Sequence, residues 1–275
     1  MEFLARPWWA YSRMSRSDAV ALDRLGDLVK AGDYEQAEAG ARVLAAAPRR
    51  LRRRNPLTVW HARALATAAA VAHGRGAEVL TELEALIGEL ESAVGVDPGL
   101  PLVVRGNRVV VLIHQSRYAE AEAEANAILR AATRIAHLTE VWRIELSTLD
   151  DLADAMCGQG RYAEAEAIAR GNLPRAVGGT AVALQCQLVR SLTGQGRHEE
   201  ALTEARRHRS IWVREKSGVL DIAIATALHG LGRRSEAESA ARRALTDCER
   251  FLHPTHPRIH EARELAARTA GEDLA

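Results

Sequence analysis

Apolar residues recur along this chain with the three- and four-residue spacing of α-helices. One apolar stripe precedes Gly160 in the i, i+3, i+4, i+7 pattern and consists of Leu149, Leu152, Ala153 and Met156. Ala165 and Ala169 continue an apolar face behind that glycine. Similar stripes precede Gly196 and Gly232. The pattern predicts pairs of amphipathic helices that are joined by short turns at glycine.

The turns share one short motif, Gly-x-Tyr-x-x-Ala-Glu. Copies begin at Gly32, Ser116, Gly160, Gly196 and Gly232, and a degenerate copy begins at Gly74. These six anchors are 42, 42, 44, 36 and 36 residues apart. A glycine at the anchor can adopt a positive φ and stop the first helix, and the alanine five residues later lets two helices approach closely. Each copy therefore predicts one helical hairpin.

A single helical hairpin cannot bury both of its apolar faces, so hairpins of fixed period must stack on one another. We predict an all-α fold, an α-solenoid of about six hairpins followed by a C-terminal capping helix. The predicted boundaries are an apolar, aromatic N-terminal segment at 1–17, six repeats at 18–256, and the capping helix and tail at 257–275.

The repeats resemble the tetratricopeptide repeat, and the longer ones resemble its kinesin-light-chain-type variant. The best match is the stretch from Leu149 to Glu166, and Leu252-His-Pro-Thr-His-Pro257 is similar to the linker between repeats of that variant. The resemblance covers roughly 18–270. Two repeats depart from the pattern. Arg108 stands where a core leucine is expected, and Gly76 and Val79 replace the usual tyrosine and alanine, so we expect these two hairpins to be rotated or loosely packed.

Composition agrees with helices, because 52 residues are Ala and only 11 are aromatic. Among the basic residues 35 are Arg and two are Lys, a bias that we attribute to a GC-rich, bacterial genome. The three cysteines have no CxxC spacing, which fits a reducing cytoplasm. No stretch reaches the roughly 18 uncharged apolar residues that a membrane-spanning helix needs. We expect a cytoplasmic protein without a membrane span.

The resemblance also implies where a partner binds. In tetratricopeptide repeat proteins the first helix of each hairpin lines a concave groove, so ligand contacts are expected on first helices. The first-helix positions that we expect to be exposed also include Ala64, Ala68, Val71, Ile113, Cys157, Cys186 and Ile222. The candidate binding residues among the exposed positions, which we call the groove positions, are Asn107, Val110, Asp150, Asp151, Asp154, Gln187, Arg190, Thr226 and His229.

Two details qualify the groove. Family members that clamp an acidic peptide C-terminus use Lys, Arg and Asn in successive first helices. Here only Asn107 matches, while Ser147 and Asp151 occupy the basic positions, so we do not expect recognition of an acidic C-terminus. Asp154 and Arg190 occupy equivalent positions on adjacent helices, and the simplest interpretation is that they pair with each other.

Charge is unevenly distributed, with a net +5 at 1–63, −9 at 77–166 and +4 at 167–275, which suits protein association. The sharpest cluster is a candidate patch for an anionic partner. It comprises Arg49, Arg50, Arg52, Arg53 and Arg54. Three interpretations are open for these arginines. They are solvated or paired within the chain, they bind an acidic protein, or they bind nucleic acid. Only Trp60 lies nearby for stacking and no helix-turn-helix pattern is present, which argues against nucleic acid.

The sequence offers little catalytic chemistry. His253, His256 and His260 lack a cysteine or a spaced carboxylate to complete a metal site, so we expect no metal and no cofactor. No phosphate-binding glycine loop or nucleophile motif occurs, and Cys157 with His114 or His229 is only a loose combination. We do not expect an enzyme.

The leading hypothesis is a non-catalytic scaffold or adaptor that binds a protein or peptide in its groove. The alternative is a regulatory solenoid that senses a peptide or small molecule and controls a partner protein, and an enzyme on this scaffold is the third. The N-terminal aromatic cluster is expected to cap the first hairpin of a monomer or to form a homodimer.

Overall fold

The computed structural model describes residues 14–46, 55–207 and 218–271, and within these ranges it forms thirteen α-helices and no β-strand. The chain divides into two compact units, Met1–Thr148 and Leu149–Ala275. The helices are α1 (Arg16–Ala31), α2 (Tyr34–Ala46), α3 (Pro56–His73), α4 (Gly76–Ser92), α5 (Gly99–His114), α6 (Tyr118–Ile135), α7 (Trp142–Gly158), α8 (Tyr162–Asn172), α9 (Gly178–Gly194), α10 (His198–Arg207), α11 (Val219–Gly230), α12 (Arg234–Phe251) and α13 (Pro257–Ala270). The predicted all-α class is confirmed.

Consecutive helices form hairpins, in which the odd-numbered helix is the first helix and the next one is the second. All six predicted anchors lie in these turns with a left-handed backbone. Their φ values are 81° at Gly32, 97° at Gly74, 58° at Ser116, 75° at Gly160, 75° at Gly196 and 73° at Gly232. After α1, for example, the backbone N–H of Asp33 donates to the carbonyl of Leu28, which closes the helix end. The anchors therefore stop the first helices, as predicted.

Proline and polar side chains start two of the first helices. Pro56 begins α3, and the side chain of Asn55 accepts a hydrogen bond from the backbone N–H of Leu57. Pro257 begins α13, and Nδ1 of His256 accepts from the backbone N–H of Arg258 at 3.1 Å. Proline suits this position because its fixed φ is helical and its missing N–H has no acceptor there.

Small side chains let the helices of each hairpin approach closely. The alanines five residues after the anchors are fully buried wherever the motif carries them, at Ala37, Ala121, Ala165, Ala201 and Ala237. A second close approach joins neighbouring hairpins in the C-terminal unit. A Cβ at Gly194 would overlap the ring of Tyr162, and a Cβ at Gly230 would overlap the ring of His198. In both places an aromatic ring from the second helix of one hairpin thus packs directly on the first helix of the following hairpin.

The two irregular hairpins of the N-terminal unit are closely packed, which corrects the expectation of loose packing. A Cβ at Gly76 would overlap Val111 of α5, and Val79 is buried. Arg108 does not fill the core as leucine would. Its Nη2 donates to Oε2 of Glu124 at 2.9 Å, and Nε of Arg105 donates to the other oxygen at 2.7 Å. The ion pairs of these two arginines with Glu124 replace the expected apolar contact between α5 and α6.

Two first helices are enclosed on most sides. In α9 every residue from Val182 to Val189 is buried, and α3 has buried residues on all of its faces. These helices contact their own second helix, the preceding second helix and a neighbouring first helix. The apolar core of each unit therefore surrounds its first helices. Within the described ranges no helix is long and apolar enough to cross a bilayer.

Second helices of successive hairpins are joined by ion pairs. In the C-terminal unit we call this set the outer ladder, and it comprises Glu166, Arg170, Gln195, Arg197 and Glu200. Glu166 accepts from Arg170 of its own helix, from Arg197 at 2.7 Å and from Gln195 at 2.7 Å. Arg170 also donates to Glu200 at 2.5 Å. The N-terminal unit has the same arrangement, in which Glu38 and Arg42 of α2 pair with Arg75 and with Glu82 of α4, respectively.

We expect Gly194→Ala to destabilise the protein by about 1–3 kcal/mol, because the added methyl group overlaps the Tyr162 ring. Gly171→Ala is the matched control in the same unit, since its Cβ would meet no atom within 4 Å. Alanine there should be neutral or stabilise the helix by about 0.5–1 kcal/mol. Urea denaturation measures both effects. In a Tyr162→Ala background the cost of Gly194→Ala should largely disappear, and an undiminished cost would contradict this origin.

Acid should weaken the outer ladder through Glu166. Burial by itself raises the pKa of Glu166, but hydrogen bonds from Gln195, Arg170 and Arg197 outweigh it and hold the pKa below the ordinary value of 4.5. A carboxylate with a lowered folded-state pKa stabilises the fold above its unfolded pKa, and that stabilisation is lost as pH falls through the folded pKa.

We therefore expect wild type to lose about 1 kcal/mol or less more than Glu166→Gln as pH falls from about 5 to about 2. Urea denaturation across this pH range measures the difference. Gln195→Ala, which removes one of the donors, should behave in an intermediate way. Parallel pH profiles for wild type and Glu166→Gln would show that the ladder contributes nothing.

Candidate functional site

The groove positions divide between the two units. Asn107 and Val110 lie on α5 in the N-terminal unit. The other seven lie in the C-terminal unit, on α7, α9 and α11. The candidate site in the C-terminal unit is built from the last ten residues of α7 and from the first helices that follow.

Asp154 of α7 and Arg190 of α9 form an ion pair, which confirms the predicted pairing. Nη1 of Arg190 lies 2.5 Å from Oδ1 of Asp154, and the two side chains are 33% and 28% exposed. The same Nη1 donates to Oε1 of Gln187, one turn earlier on α9, at 3.3 Å. The carboxylate of Asp154 is the main cause of a raised pKa at Arg190, and Glu261 of α13 adds to it. Arg190 thus remains a cation, with Asp154 as its ion-pair partner.

Three groove positions are buried, so the prediction that they are exposed was wrong. Asn107 is 9% exposed, Asp150 is 7% exposed and Gln187 is 5% exposed. For Asn107 and Gln187 the reason lies in the contacts between first helices, because α5 packs against α3 and α9 packs against α11. Side chains at the margins of the predicted face enter these contacts instead of meeting water. Helical periodicity gives the direction of a side chain and not the distance to the next helix.

Asn107 is the groove position with an unmet hydrogen-bonding requirement. Its Nδ2 is buried and has no hydrogen-bond partner among the described residues. Leaving a buried amide donor unpaired costs roughly 1–3 kcal/mol, so native proteins rarely retain one without a reason. Val110, one turn later on α5, is half-buried against the apolar cluster of the unit. A ligand that supplies a carbonyl or carboxylate oxygen to Asn107 would satisfy this donor.

The remaining groove positions are more exposed. Asp151 is half-buried on α7. Thr226 of α11 is half-buried, and its hydroxyl donates to the carbonyl of Ile222 at 2.9 Å. His229, near the end of α11, is exposed. The structure therefore brings together Asp154, Gln187 and Arg190 by direct contact. Among the described residues it gives no side-chain contact of Thr226 or His229 with another groove position.

Cys157 lies one turn after Asp154 and is 5% exposed. The pKa of its thiol is raised to about 12, mainly by burial; the charge of Arg190 opposes the rise, and the charges of Asp154 and Asp150 contribute to it. A catalytic cysteine needs the opposite shift, toward a thiolate at neutral pH. Cys157 thus lacks the activation expected of a nucleophile. Cys157, Cys186 and Cys248 are all buried.

The three C-terminal histidines have separate local contacts. Nδ1 of His253 lies 2.7 Å from the hydroxyl of Thr255, His256 caps α13, and His260 pairs with Glu264 at 3.0 Å. Each contact lies within its own loop or helix turn. These contacts account for all three histidines without a shared ligand.

Glu261 of α13, whose charge contributes to the raised pKa of Arg190, was not among the predicted groove positions. Gly271 ends α13 with a φ of 79°, as the six anchors end their helices. Counting back from Gly271 as a seventh anchor places Glu261 at the register position of Asp150 relative to Gly160. The residues that follow Gly271 do not carry the Gly-x-Tyr-x-x-Ala-Glu motif, so the pattern did not indicate a seventh anchor.

Two predicted features lie outside the described residues. The Arg49–Arg54 patch falls within 47–54, and most of the N-terminal aromatic segment falls within 1–13. Both stay predictions.

Comparison with known proteins supports the repeat assignment. A family model described as the tetratricopeptide repeat matches residues 146–176 and 222–258, which contain most of the α7–α8 and α11–α12 hairpins. A crystal structure of a Rap protein complexed with competence and sporulation factor has a TM-score of 0.62 at 15% identity, and the match covers 94% of this chain and 78% of that one. No curated protein sequence matches this chain. The prediction of tetratricopeptide repeats is confirmed for the two matched segments, and the helical-repeat solenoid fold is confirmed.

Proposed function

We propose that this chain, a tetratricopeptide repeat protein, is a non-catalytic scaffold or adaptor that binds a protein or peptide partner along its first helices. The observation that carries the proposal is the buried amide donor of Asn107, which lacks an acceptor on a predicted binding helix. A peptide backbone offers carbonyl acceptors at regular intervals, so it is the ligand class that best satisfies such a donor. Val110, beside Asn107, offers apolar contact to the same ligand.

In the C-terminal unit the proposed contacts are polar. Asp150, Asp154 and Gln187 supply acceptors, and Arg190 supplies a cation. Asp151, Thr226 and His229 complete the proposed binding residues. The resemblance in fold to the Rap protein, which was crystallised with competence and sporulation factor, supports a function in binding. The absence of a catalytic role is part of the proposal, and the raised pKa of Cys157 supports it.

The alternative function is a regulatory solenoid that senses a ligand. The observation that favours it is the Asp154–Arg190 ion pair, because it joins the first helices of two successive hairpins. A ligand that competes for either side chain would alter the contact between those hairpins. A cytoplasmic location is also proposed, and the three buried cysteines, which have no CxxC spacing, support it. The oligomeric state, either a monomer or a homodimer formed through the N-terminal segment, stays a prediction.

The test is selection of binding peptides from a random display library, followed by calorimetry of a synthetic copy of the recovered peptide. Asn107→Ala should weaken binding by about fivefold or more, since one hydrogen bond in a buried site is worth about 1 kcal/mol or more. The same substitution should leave the melting temperature of the free protein unchanged or raised, because it removes a donor that is unpaired without ligand.

Asn126→Ala on α6 is the control, since that side chain donates to the backbone carbonyl of Glu122 and lies on a second helix. It should leave the affinity as in wild type. Recovery of no peptide, or equal affinities for wild type and Asn107→Ala, would contradict the proposed function.

A further inference from the structure

Val20 of α1 is exposed at a position that belongs to the interior in later first helices. It lies twelve residues before the anchor Gly32 and is 61% exposed. The residues twelve positions before the later anchors, and before Gly271 in α13, are Ala62, Val104, Thr148, Leu184, Leu220 and Ile259. Leu220 is half-buried against the core of its unit, and the other five are buried. Val20 is therefore the exception at this position of the repeat.

The exposure of Val20 follows from its place at the beginning of the series of hairpins. In α3 the equivalent face lies on the preceding second helix, because Ala66 and Ala69 share a core cluster with Ala37 and Ala41 of α2. No helix precedes α1 among the described residues. The face of α1 that contains Val20 consequently has no preceding second helix against it within the described ranges.

This face of α1 is apolar at one end alone. One and two turns after Val20, the residues Arg24 and Asp27 occupy positions at which α3 has buried alanines, and both are exposed. Asp27 pairs with Lys30 of its own helix at 3.0 Å. A second copy of the chain stacked along the whole face would bury these charges, which is costly. The occupant that fits this face is short and covers α1 near Val20.

The last described helix shows a surface that meets water without a cover. The apolar residues Ile259, Ala262 and Leu265 of α13 are buried, and no large apolar side chain of this helix is exposed. The exposed side chains of α13 include His260, Glu261, Arg263, Glu264 and Arg268. Such a polar surface is typical of a terminal capping element in a repeat protein. The exposed valine of α1 does not fit that description.

The segment at 1–13, which lies outside the described residues, has the composition and the attachment point of a short occupant. Its large apolar residues are Phe3, Leu4, Trp8, Trp9 and Tyr11. The segment joins α1 at the end where Val20 lies, because Val20 is only about 6 Å along the helix from its first residue, Arg16. Trp9 is seven residues before Arg16, a span of up to about 23 Å in extended chain. The aromatic residues can thus turn back onto Val20, and their burial is favourable.

We propose that the segment at 1–13 folds back within its own chain and covers Val20 at the N-terminal end of α1. It takes, over the first turns of α1, the place that the preceding second helix takes in a later hairpin. The surface around Val20 is thus an intramolecular docking surface. This inference uses none of the groove positions, so it stands or falls independently of the proposed function.

Hydrogen exchange of the full-length protein, followed by mass spectrometry of peptides, tests the docking. We expect Val20→Ser to accelerate exchange of the α1 amides by about fivefold or more, because it removes an apolar contact that holds the helix end closed. Serine and valine have similar helix propensities, so propensity does not produce this effect. Removal of residues 2–13 should accelerate exchange at least as much. In that shortened variant Val20→Ser should add little, since the contact is already absent.

Val43→Ser on α2 is the matched control, because Val43 is a 69% exposed valine of the same hairpin. It lies eleven residues after its anchor, and the exposed residues at this position in other hairpins include Ala85, Gly171, Arg207 and Arg243. Val43→Ser should leave exchange in α1 as in wild type. Equal acceleration by Val20→Ser with and without residues 2–13 would overturn the proposal, and so would unchanged exchange in both backgrounds.

Photocrosslinking identifies the occupant directly. The variant Val20→p-benzoylphenylalanine carries a photoreactive side chain, and an equal mixture of unlabelled and isotope-labelled chains separates crosslinks within one chain from crosslinks between two. We expect crosslinks to peptides from 1–13 in which both parts carry the same isotope label. Crosslinked pairs of mixed label would identify a second copy of the chain as the occupant. That result, or crosslinks to no part of 1–13, would contradict docking within the chain.

Discussion

The close approach of neighbouring helices, which depends on one small residue at each crossing, is the constraint from which the rest of this structure follows. The fully buried alanine five residues after an anchor sets the distance between the two helices of a hairpin. Gly194 and Gly230 do the same between successive hairpins, where a ring rests on the glycine. Because helices lie so close, first helices such as α3 and α9 are enclosed by their neighbours. Polar residues on them are then buried beside any binding face.

Charge has a different role on the two sides of the hairpins. On the second helices and in the turns that precede them, arginines and glutamates connect successive hairpins, and this occurs in both units. On the first helices of the C-terminal unit, Asp154 and Arg190 form an ion pair. The ion pairs of the second helices stabilise the repeat, whereas the pair on the first helices lies where a partner is proposed to bind.

The sequence was sufficient to predict the hairpins, the six anchors and the pairing of Asp154 with Arg190. These depend on local signals, because a turn residue acts on its own backbone and equivalent positions on adjacent helices face each other. The burial of Asn107 and Gln187 could not be predicted, since it depends on how far apart successive first helices lie. The ion pairs of Arg105 and Arg108 with Glu124 could not be predicted either. The repeat pattern expects a leucine at the position of Arg108, so it identifies no partner for an arginine there.

Ser116 shows what maintains these turns. It has the left-handed backbone of the glycine anchors, with a φ of 58°, although its side chain disfavours that conformation by about 1–2 kcal/mol. The turn between α5 and α6 persists because the packing of the two helices leaves the chain no other path. Glycine is therefore the usual residue of this turn without being its cause. A search for further repeats in related chains that insists on glycine would miss hairpins that are fully formed.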